Sequence, residues 1–299
     1  MFGKLAFINN PIIRQFEKRV DFSPVEMREG EPYIIAFYGK NLLYRVGEIP
    51  EFYLSAQEVE PFSPQWDEAC LLGWQDGRRV VTLFITTLPV VEEKSSYAQL
   101  PLWEGYQQKY FYEAEAGAVA QAYSLLTWHR SQKFCGYCGK KMQIKGGGAS
   151  RQCSHCSSES FPRVDPVAIM LVHDANACLL ARSPNFAHKR YSCLAGFIEQ
   201  GETLEAAVQR EVYEEMGVLL GEVTYHFSQP WPFAHSLMLG CSARALSRHI
   251  TMDPIEIEDG GWFERESVQL MLEGRHPEGL IIAPEGSIAR CLIRQWLGS

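Results

Sequence analysis

The stretch GFIEQGETLEAAVQREVYEEMGV, residues 196–218, decides how the rest of the chain is read. After Thr203 it predicts one helix. Thr203 suits an N-cap, and Leu204, Glu205, Ala206 and Ala207 are good helix formers. Gly217 supplies a C-terminal stop. Leu204, Val208, Val212 and Met216 recur every fourth residue and predict a buried stripe. Glu211, Glu214 and Glu215 stand at i, i+3 and i+4, on one narrow arc of that helix. Three crowded carboxylates repel each other. A bound divalent cation removes the penalty, and oxygen donors suit Mg²⁺ or Mn²⁺. A bare E-x-x-E-E reads equally well as a solvated acidic face ending in glycine.

The whole stretch is more specific. It resembles the Nudix hydrolase signature, in which a glycine, five residues, a glutamate and seven residues precede R-E-U-x-E-E-x-G-U, U being aliphatic. Gly196, Glu202, Arg210, Glu211, Glu214, Glu215 and Gly217 fill the fixed positions. The resemblance implies a loop-helix-loop that holds metal and hydrolyses a nucleoside diphosphate linked to another group.

Outward from this stretch, composition sets the bounds. The 299 residues suffice for about two domains. With 46% hydrophobic and 21% charged residues the chain reads as globular, and no apolar run reaches membrane-spanning length. The first ten residues lack the apolar core and cleavage site of a secretory signal. A net charge of −8 argues against general nucleic-acid binding. Nine cysteines, five of them scattered through apolar surroundings, suit a reducing cytoplasm better than a disulfide framework.

Upstream, Tyr33–Tyr38 and Val80–Ile85 read as strands, and residues 114–132 read as a helix from the spacing of Ala116, Val119, Ala122, Tyr123 and Leu126. Residues 1–130 are expected to form a mixed or mainly β domain ending in that helix. It serves as scaffold, or lends residues to a pocket or a dimer surface. Residues 131–160 carry Cys135-Gly-Tyr-Cys138 and Cys153-Ser-His-Cys156, a spacing typical of a zinc ribbon. Four thiolates close a tetrahedral shell, so the Zn²⁺ is expected to be structural, with His155 a bystander. A redox pair or an empty remnant is the competing reading. Residues 161–299 alternate strands and helices.

Within that last part lies Ser228-Gln-Pro-Trp-Pro-Phe-Ala-His-Ser236. Pro230 and Pro232 predict a loop in place of a central strand. They also stiffen Trp231 and Phe233 as stacking faces, with Gln229 and Ser236 available for hydrogen bonds. Read alone, the segment is better taken as a Pro-aromatic loop packed as a hydrophobic plug. Downstream of the signature and the ribbon, it resembles the motif of the NADH pyrophosphatase branch of the Nudix family. That resemblance covers roughly residues 131–299. It implies an α/β/α sandwich behind a four-cysteine ribbon, a mixed α+β chain overall. Two departures stand out: Ala234 replaces a usual proline, and Phe161 a usual tyrosine.

The resemblance further implies a reaction and a site. NADH, or NAD⁺, is cleaved to AMP and NMNH or NMN, with Glu211, Glu214 and Glu215 holding two or more Mg²⁺ or Mn²⁺ ions and Arg210 bracing a glutamate. The Ala195 carbonyl and Glu256 join the metal shell, Glu258 being a rival. Gln229 through Ser236, including His235, together with Phe161, line the substrate site. Ala289 lies near substrate across a homodimer, and Phe197 is expected to stack on the nicotinamide. The alternatives are ADP-ribose, dinucleoside polyphosphates or the NAD cap of RNA as substrate, and a non-catalytic nucleotide sensor. A sensor of that kind would be expected to lack the glutamates present here.

Overall fold

Runs of alternating apolar residues become strands, and the two faces of each run enter two different cores. In the computed structural model, which describes residues 5–19, 22–88, 96–108, 110, 113–233 and 235–298, the chain divides into two units. One comprises residues 7–163 with 232–235, the other residues up to 6, 164–231 and 236 onward.

In the first unit, α1 (Phe16–Arg19) and α2 (Pro24–Arg28) precede the hairpin β1 (Tyr33–Tyr38) and β2 (Asn41–Arg45). The short helix α3 (Ala56–Val59), then β3 (Cys70–Gln75), β4 (Arg78–Phe84) and β5 (Tyr97–Pro101), complete the strand set. The sheet order is β3-β4-β1-β2-β5, with β1 parallel to β4 and the other pairs antiparallel. The helix α4 (Leu102–Gln107) leads to the long α5 (Glu113–Ser131). Ala118, Val119, Ala122, Tyr123 and Leu126 of α5 pack on Ile35, Phe37 and Leu42, one face of the sheet. Ile34, Ala36 and Leu43, one residue out of phase, enter a second core with Met27, Val59 and Phe62. The N-terminal domain is thus a mixed sheet with a substantial helix.

The ribbon follows as the antiparallel sheet β6 (Met142–Lys145), β7 (Ser150–Cys153) and β8 (Glu159–Ser160). Arg151 on β7 is fully buried. Its Nε donates to His129 Nδ1 (3.0 Å), its Nη1 to the Met142 carbonyl (3.2 Å), and its Nη2 pairs with Glu68. His129 Nδ1 therefore accepts, which leaves Nε2–H to donate to the Gly148 carbonyl at 2.9 Å. Burial and the adjacent guanidinium hold this imidazole down at about 4, so it stays neutral.

The second unit is built on β9 (Asp165–His173), which pairs with β10 (Ala177–Arg182) and β12 (Leu194–Phe197) on one side and runs parallel to a later strand on the other. The short β11 (Arg190–Tyr191) precedes β12. Helix α6 (Leu204–Met216), β13 (Leu220–Trp231), β14 (Ser236–Ala245), β15 (Asp259–Glu264), α7 (Arg265–Leu272), β16 (Ile281–Ile282) and α8 (Ile288–Leu297) complete the unit. The main sheet runs β13-β14-β9-β10-β15, with β12 also on β9 and β14 the parallel neighbour of β9. Ala168, Met170 and Val172 of β9 meet Val208, Val212 and Met216 of α6. Ile169 and Leu171 meet the α7 and α8 side through Val268, Met271, Leu292 and Ile293. This is a helix-sheet-helix sandwich. The fully buried Val208, Val212 and Met216 contribute about 1.5–3 kcal/mol each.

One expectation changes. Residues 228–231, read as a proline-broken loop, are the end of β13, with Pro230 opposite Leu237 and Trp231 opposite Ser236. The strand tolerates Pro230 because β13 lies at the sheet edge, where a missing N–H costs little.

Candidate active site

Helix α6 presents the carboxylates. The Thr203 hydroxyl accepts from Ala206 N at 3.2 Å and caps its start; Gly217, at φ +68°, ends it. The buried stripe fixes the rotation of the helix, so Glu211 and Glu215 turn inward, 9% and 6% exposed, while Glu214 stays in solvent. Gly196 on β12 lies directly against Glu211. A Cβ there would sit 1.8 Å from Glu211 Cδ and 2.0 and 2.2 Å from its two oxygens. Only a hydrogen at residue 196 leaves room for that carboxylate.

Arg210 organises the cluster. Its Nε and Nη2 donate to the two oxygens of Glu202 at 2.7 and 2.9 Å, a bidentate pair. Nη1 donates to Glu211 (2.9 Å) and Glu214 (3.0 Å), and Nη2 also to the Phe197 carbonyl (2.9 Å). Glu202 accepts from Glu199 N as well, and these bonds, Arg210 first, hold its carboxyl down at about 2. Glu202 is thereby committed to the brace. Its place in the signature was legible in the sequence, its partner was not.

Glu215 sits in the opposite environment. Burial first, then the charges of Glu211, Glu256, Asp253 and Glu214, push its acid up to about 8. Among the described residues its buried Oε2 has no hydrogen-bond partner. Burial also raises Glu211, against the pull of Arg210. An all-oxygen donor set with an orphaned buried oxygen fits a hard divalent cation, which would give that oxygen a partner and offset the repulsion. Among the described residues, the group of three or more potential metal donors gathered together is that of the four ribbon cysteines. Glu256 acts electrostatically on both Glu211 and Glu215, whereas Glu258 is paired with Arg182. Ala195, half-buried on β12, pairs with Ile169. Asp253, whose N–H donates to the Glu215 carbonyl at 3.0 Å, had no signal in the sequence beyond its place beside Glu256.

The residues expected at substrate are more dispersed. Gln229 is fully buried. Its Nε2 donates to the carbonyls of Ala6 (2.9 Å) and Gly286 (2.8 Å), and its Oε1 accepts from Ile288 N (2.9 Å) at the start of α8. Its amide therefore ties strand to helix, leaving no edge for a ring to read. Pro230 is exposed, Trp231 and Ser236 are half-buried, and Pro232 is buried. The Phe233 ring belongs to an aromatic cluster with Trp103 (5.4 Å, edge-on), Phe7 (6.2 Å) and Tyr123 (6.5 Å), which is the hydrophobic-plug reading of that residue. His235 Nδ1 lies 3.3 Å from the Ser124 hydroxyl. Ala234 falls outside the described residues. Phe197 and Phe161 are exposed, each in a different unit. Ala289 is 2% exposed and faces the core of its own unit from α8.

The zinc centre is compact. Cys135, Cys138, Cys153 and Cys156 place all four sulfurs within 4.8 Å of one another, with Cys135–Cys156 at 3.6 Å and Cys138–Cys153 at 3.4 Å. A tetrahedron with Zn–S near 2.3 Å requires sulfurs about 3.8 Å apart. Tyr137 N and His155 N donate to Cys135 and Cys153, both at 3.4 Å. The Ser158 hydroxyl, which sequence reading passed over, lies 3.0 Å from Cys135 Sγ and 3.2 Å from Cys156 Sγ, and chiefly holds the Cys135 thiol down at about 6. These four cysteines would hold a structural Zn²⁺, closing its shell as thiolates.

Comparison with known proteins places this geometry. Residues 31–128 match the NADH pyrophosphatase-like rudimentary NUDIX domain, residues 130–161 the NADH pyrophosphatase zinc ribbon domain, and residues 162–283 the NUDIX domain. The chain is 48% identical over 195 residues to the human NAD-capped RNA hydrolase NUDT12, across 62% of this chain and 42% of that protein. It is 46% identical over 167 residues to Nudix hydrolase 19, chloroplastic, of Arabidopsis thaliana (53% and 38%). It is 43% identical over 155 residues to the NAD-capped RNA hydrolase NudC of Chromobacterium violaceum (52% and 58%). The matches thus span about half the length of these relatives or less. With its glycine-spaced carboxylate helix, its four-cysteine ribbon and its three matching domain models, the chain belongs to the Nudix family, in the domain arrangement of the NADH pyrophosphatases.

Proposed function

We propose that this chain hydrolyses the pyrophosphate bond of NADH or NAD⁺, yielding AMP with NMNH or NMN. The observation that carries the reading is Glu215, a buried carboxylate with one unpartnered oxygen among four acidic neighbours, on the helix of a Nudix domain. Glu211 and Glu215, with Glu256 and the Ala195 carbonyl, would hold Mg²⁺ or Mn²⁺, and Glu214 would share a second ion or orient water. Bound there, the ions supply charge neutralisation for the diphosphate and acidify the attacking water. Arg210 keeps Glu211 and Glu214 in place through the Glu202 brace. Gly196 admits the Glu211 carboxylate, and the exposed Phe197 ring next to it offers a stacking face for the nicotinamide. Gln229 acts as a positioning residue, fixing the start of α8, which carries Ala289. We place the protein as a homodimer in a reducing, cytoplasmic setting, in keeping with five buried free cysteines outside the ribbon.

A second reading, the same bond cut at the NAD cap of RNA, is favoured by the names of two relatives above. Parallel rates on NADH, ADP-ribose and NAD-capped RNA test both. Cleavage of the first and third to nicotinamide mononucleotide and a 5′ adenylate supports the proposal. Cleavage of ADP-ribose alone contradicts it.

A further inference from the structure

A triple glycine seats the ribbon on the N-terminal domain. Gly146, Gly147 and Gly148, all at positive φ, join β6 to β7, and the last two are buried. A Cβ at Gly148 would lie 2.8 Å from Cys70 Sγ on β3. One at Gly147 would lie 3.3 Å from the carbonyl of Arg19, the last residue of α1. The loop thus packs between β3 and α1. Arg151 and Arg19 both act electrostatically on Cys70 and on His129, so the two guanidinium groups belong to one cluster. Arg151 has its carboxylate in Glu68. Arg19 is only 8% exposed, yet among the described residues its guanidinium has no hydrogen-bond or ion-pair partner, and its Nε is fully buried. The other charge acting on it is a second cation, the exposed Arg14. Burial pushes the Cys70 thiol up to about 12 and keeps His129 neutral, so neither supplies a negative charge. Two guanidinium charges, Arg14 and Arg19, remain unmatched.

We propose that this junction holds a small oxyanion of the phosphate class, gripped by Arg19 with Arg14 beside it. A buried guanidinium cannot shed its proton, so the free energy it loses on leaving water must be offset by an anion. The planar fork of arginine matches two oxygens of one phosphate. A phosphate group carries about −1.5 to −2 at neutral pH, close to what Arg14 and Arg19 leave open, whereas a carboxylate offers one charge. A cleft of about 300 Å³, lined by Met27, Asp67, Glu68, Lys141, Gly147 and Arg151, opens beside the glycine loop and gives the ion its way in. All these residues belong to one unit, and the carboxylates of α6 to the other, so the proposal does not depend on pyrophosphate cleavage.

The test is calorimetric titration of the full zinc-loaded chain with inorganic phosphate, in chloride buffer of constant ionic strength without Mg²⁺ or Mn²⁺, followed by thermal unfolding. Saturable binding of one ion per chain is expected, with Tm raised by about 2–6 °C at about ten times Kd. Glu215→Gln should bind equally, which separates this site from the carboxylate helix. Arg19→Lys keeps the charge and loses the fork, and should weaken binding about 10-fold. Arg19→Met should abolish binding yet unfold no lower than the wild type in chloride, because it removes an unmatched charge. Displacement of bound phosphate by AMP would assign phosphate monoesters, and no displacement the free ion; either supports the site. The proposal is overturned if phosphate does not bind, if acetate binds as tightly, or if Arg19→Lys binds like the wild type. It is equally overturned if Arg19→Met and Asp21→Asn both unfold well below the wild type in chloride, because the guanidinium would then have its partner within the chain.

Discussion

Gly196→Ala is the most pointed perturbation of the active site. The added methyl carbon would lie 1.8 Å from Glu211 Cδ and about 2 Å from both carboxylate oxygens. An ordinary contact needs at least 3.4 Å, so the carboxylate must retreat by more than 1 Å. The backbone at residue 196 lies outside the left-handed region, so the substitution acts through this contact and not through backbone strain. Glu211 can yield because the clash is with the far end of its side chain, and the loss of stability should stay near about 1–3 kcal/mol. Function should suffer more. Displacing a metal-holding carboxylate by about 1 Å costs on the order of 100-fold in turnover. The assay pairs AMP release from NADH with calorimetric titration of Mn²⁺. The expected result is a folded protein with weakened Mn²⁺ binding and kcat/KM reduced about 100-fold. Wild-type metal affinity and turnover in a folded Gly196→Ala protein would refute the placement of Glu211 as a ligand.

Glu215, raised to about 8 by burial and its acidic neighbours, is protonated at neutral pH without metal. The metal-free protein should therefore lose stability as pH rises from about 4.5 through 8, the folded state giving up a proton it binds more tightly than the unfolded chain does. Glu215→Gln should flatten that part of the stability profile, read by chemical denaturation. Mn²⁺ binding at pH 7 should release close to one proton from this group, measurable by calorimetry in buffers of different ionisation enthalpy. His129 carries the opposite sign: it is held down at about 4 when folded, so its contribution is complete above about 6.5 and is lost as pH falls towards 4. His129→Gln should blunt acid unfolding of the ribbon, followed by zinc release. Gln229→Leu leaves the buried Ile288 N–H without its acceptor and takes one donor from the half-buried Ala6 and Gly286 carbonyls, the latter still accepting from Ala6 N, and should cost about 1–3 kcal/mol in denaturant unfolding. An unchanged midpoint would show that the amide is not what holds α8.

Legibility in the sequence followed the range of the interaction. Thr203, Gly217 and the Val208-Val212-Met216 stripe are local signals, and they located α6 to within a residue of its ends. The four cysteines announced their centre by spacing alone. Arg210 and Glu202, eight residues apart, were visible as fixed positions, but their pairing depends on how the loop after β12 folds back. Gln229 misled for a similar reason. Between prolines and aromatics it looked like a ligand-reading side chain, while its partners Ala6, Gly286 and Ile288 come from distant parts of the chain. Pro230 looked like a strand breaker because edge position is set by sheet order, which no local pattern records. Asp253 and Ser158 matter only through neighbours that tertiary structure supplies.

The most direct measurement is quantitation of AMP and NMNH from NADH with Mn²⁺, for the wild-type chain and Glu215→Gln side by side. Stoichiometric release of both products by the wild type, with at least a 100-fold loss in a folded Glu215→Gln protein, is the predicted result. Intact NADH after incubation with the wild type, or equal turnover by the variant, would contradict it.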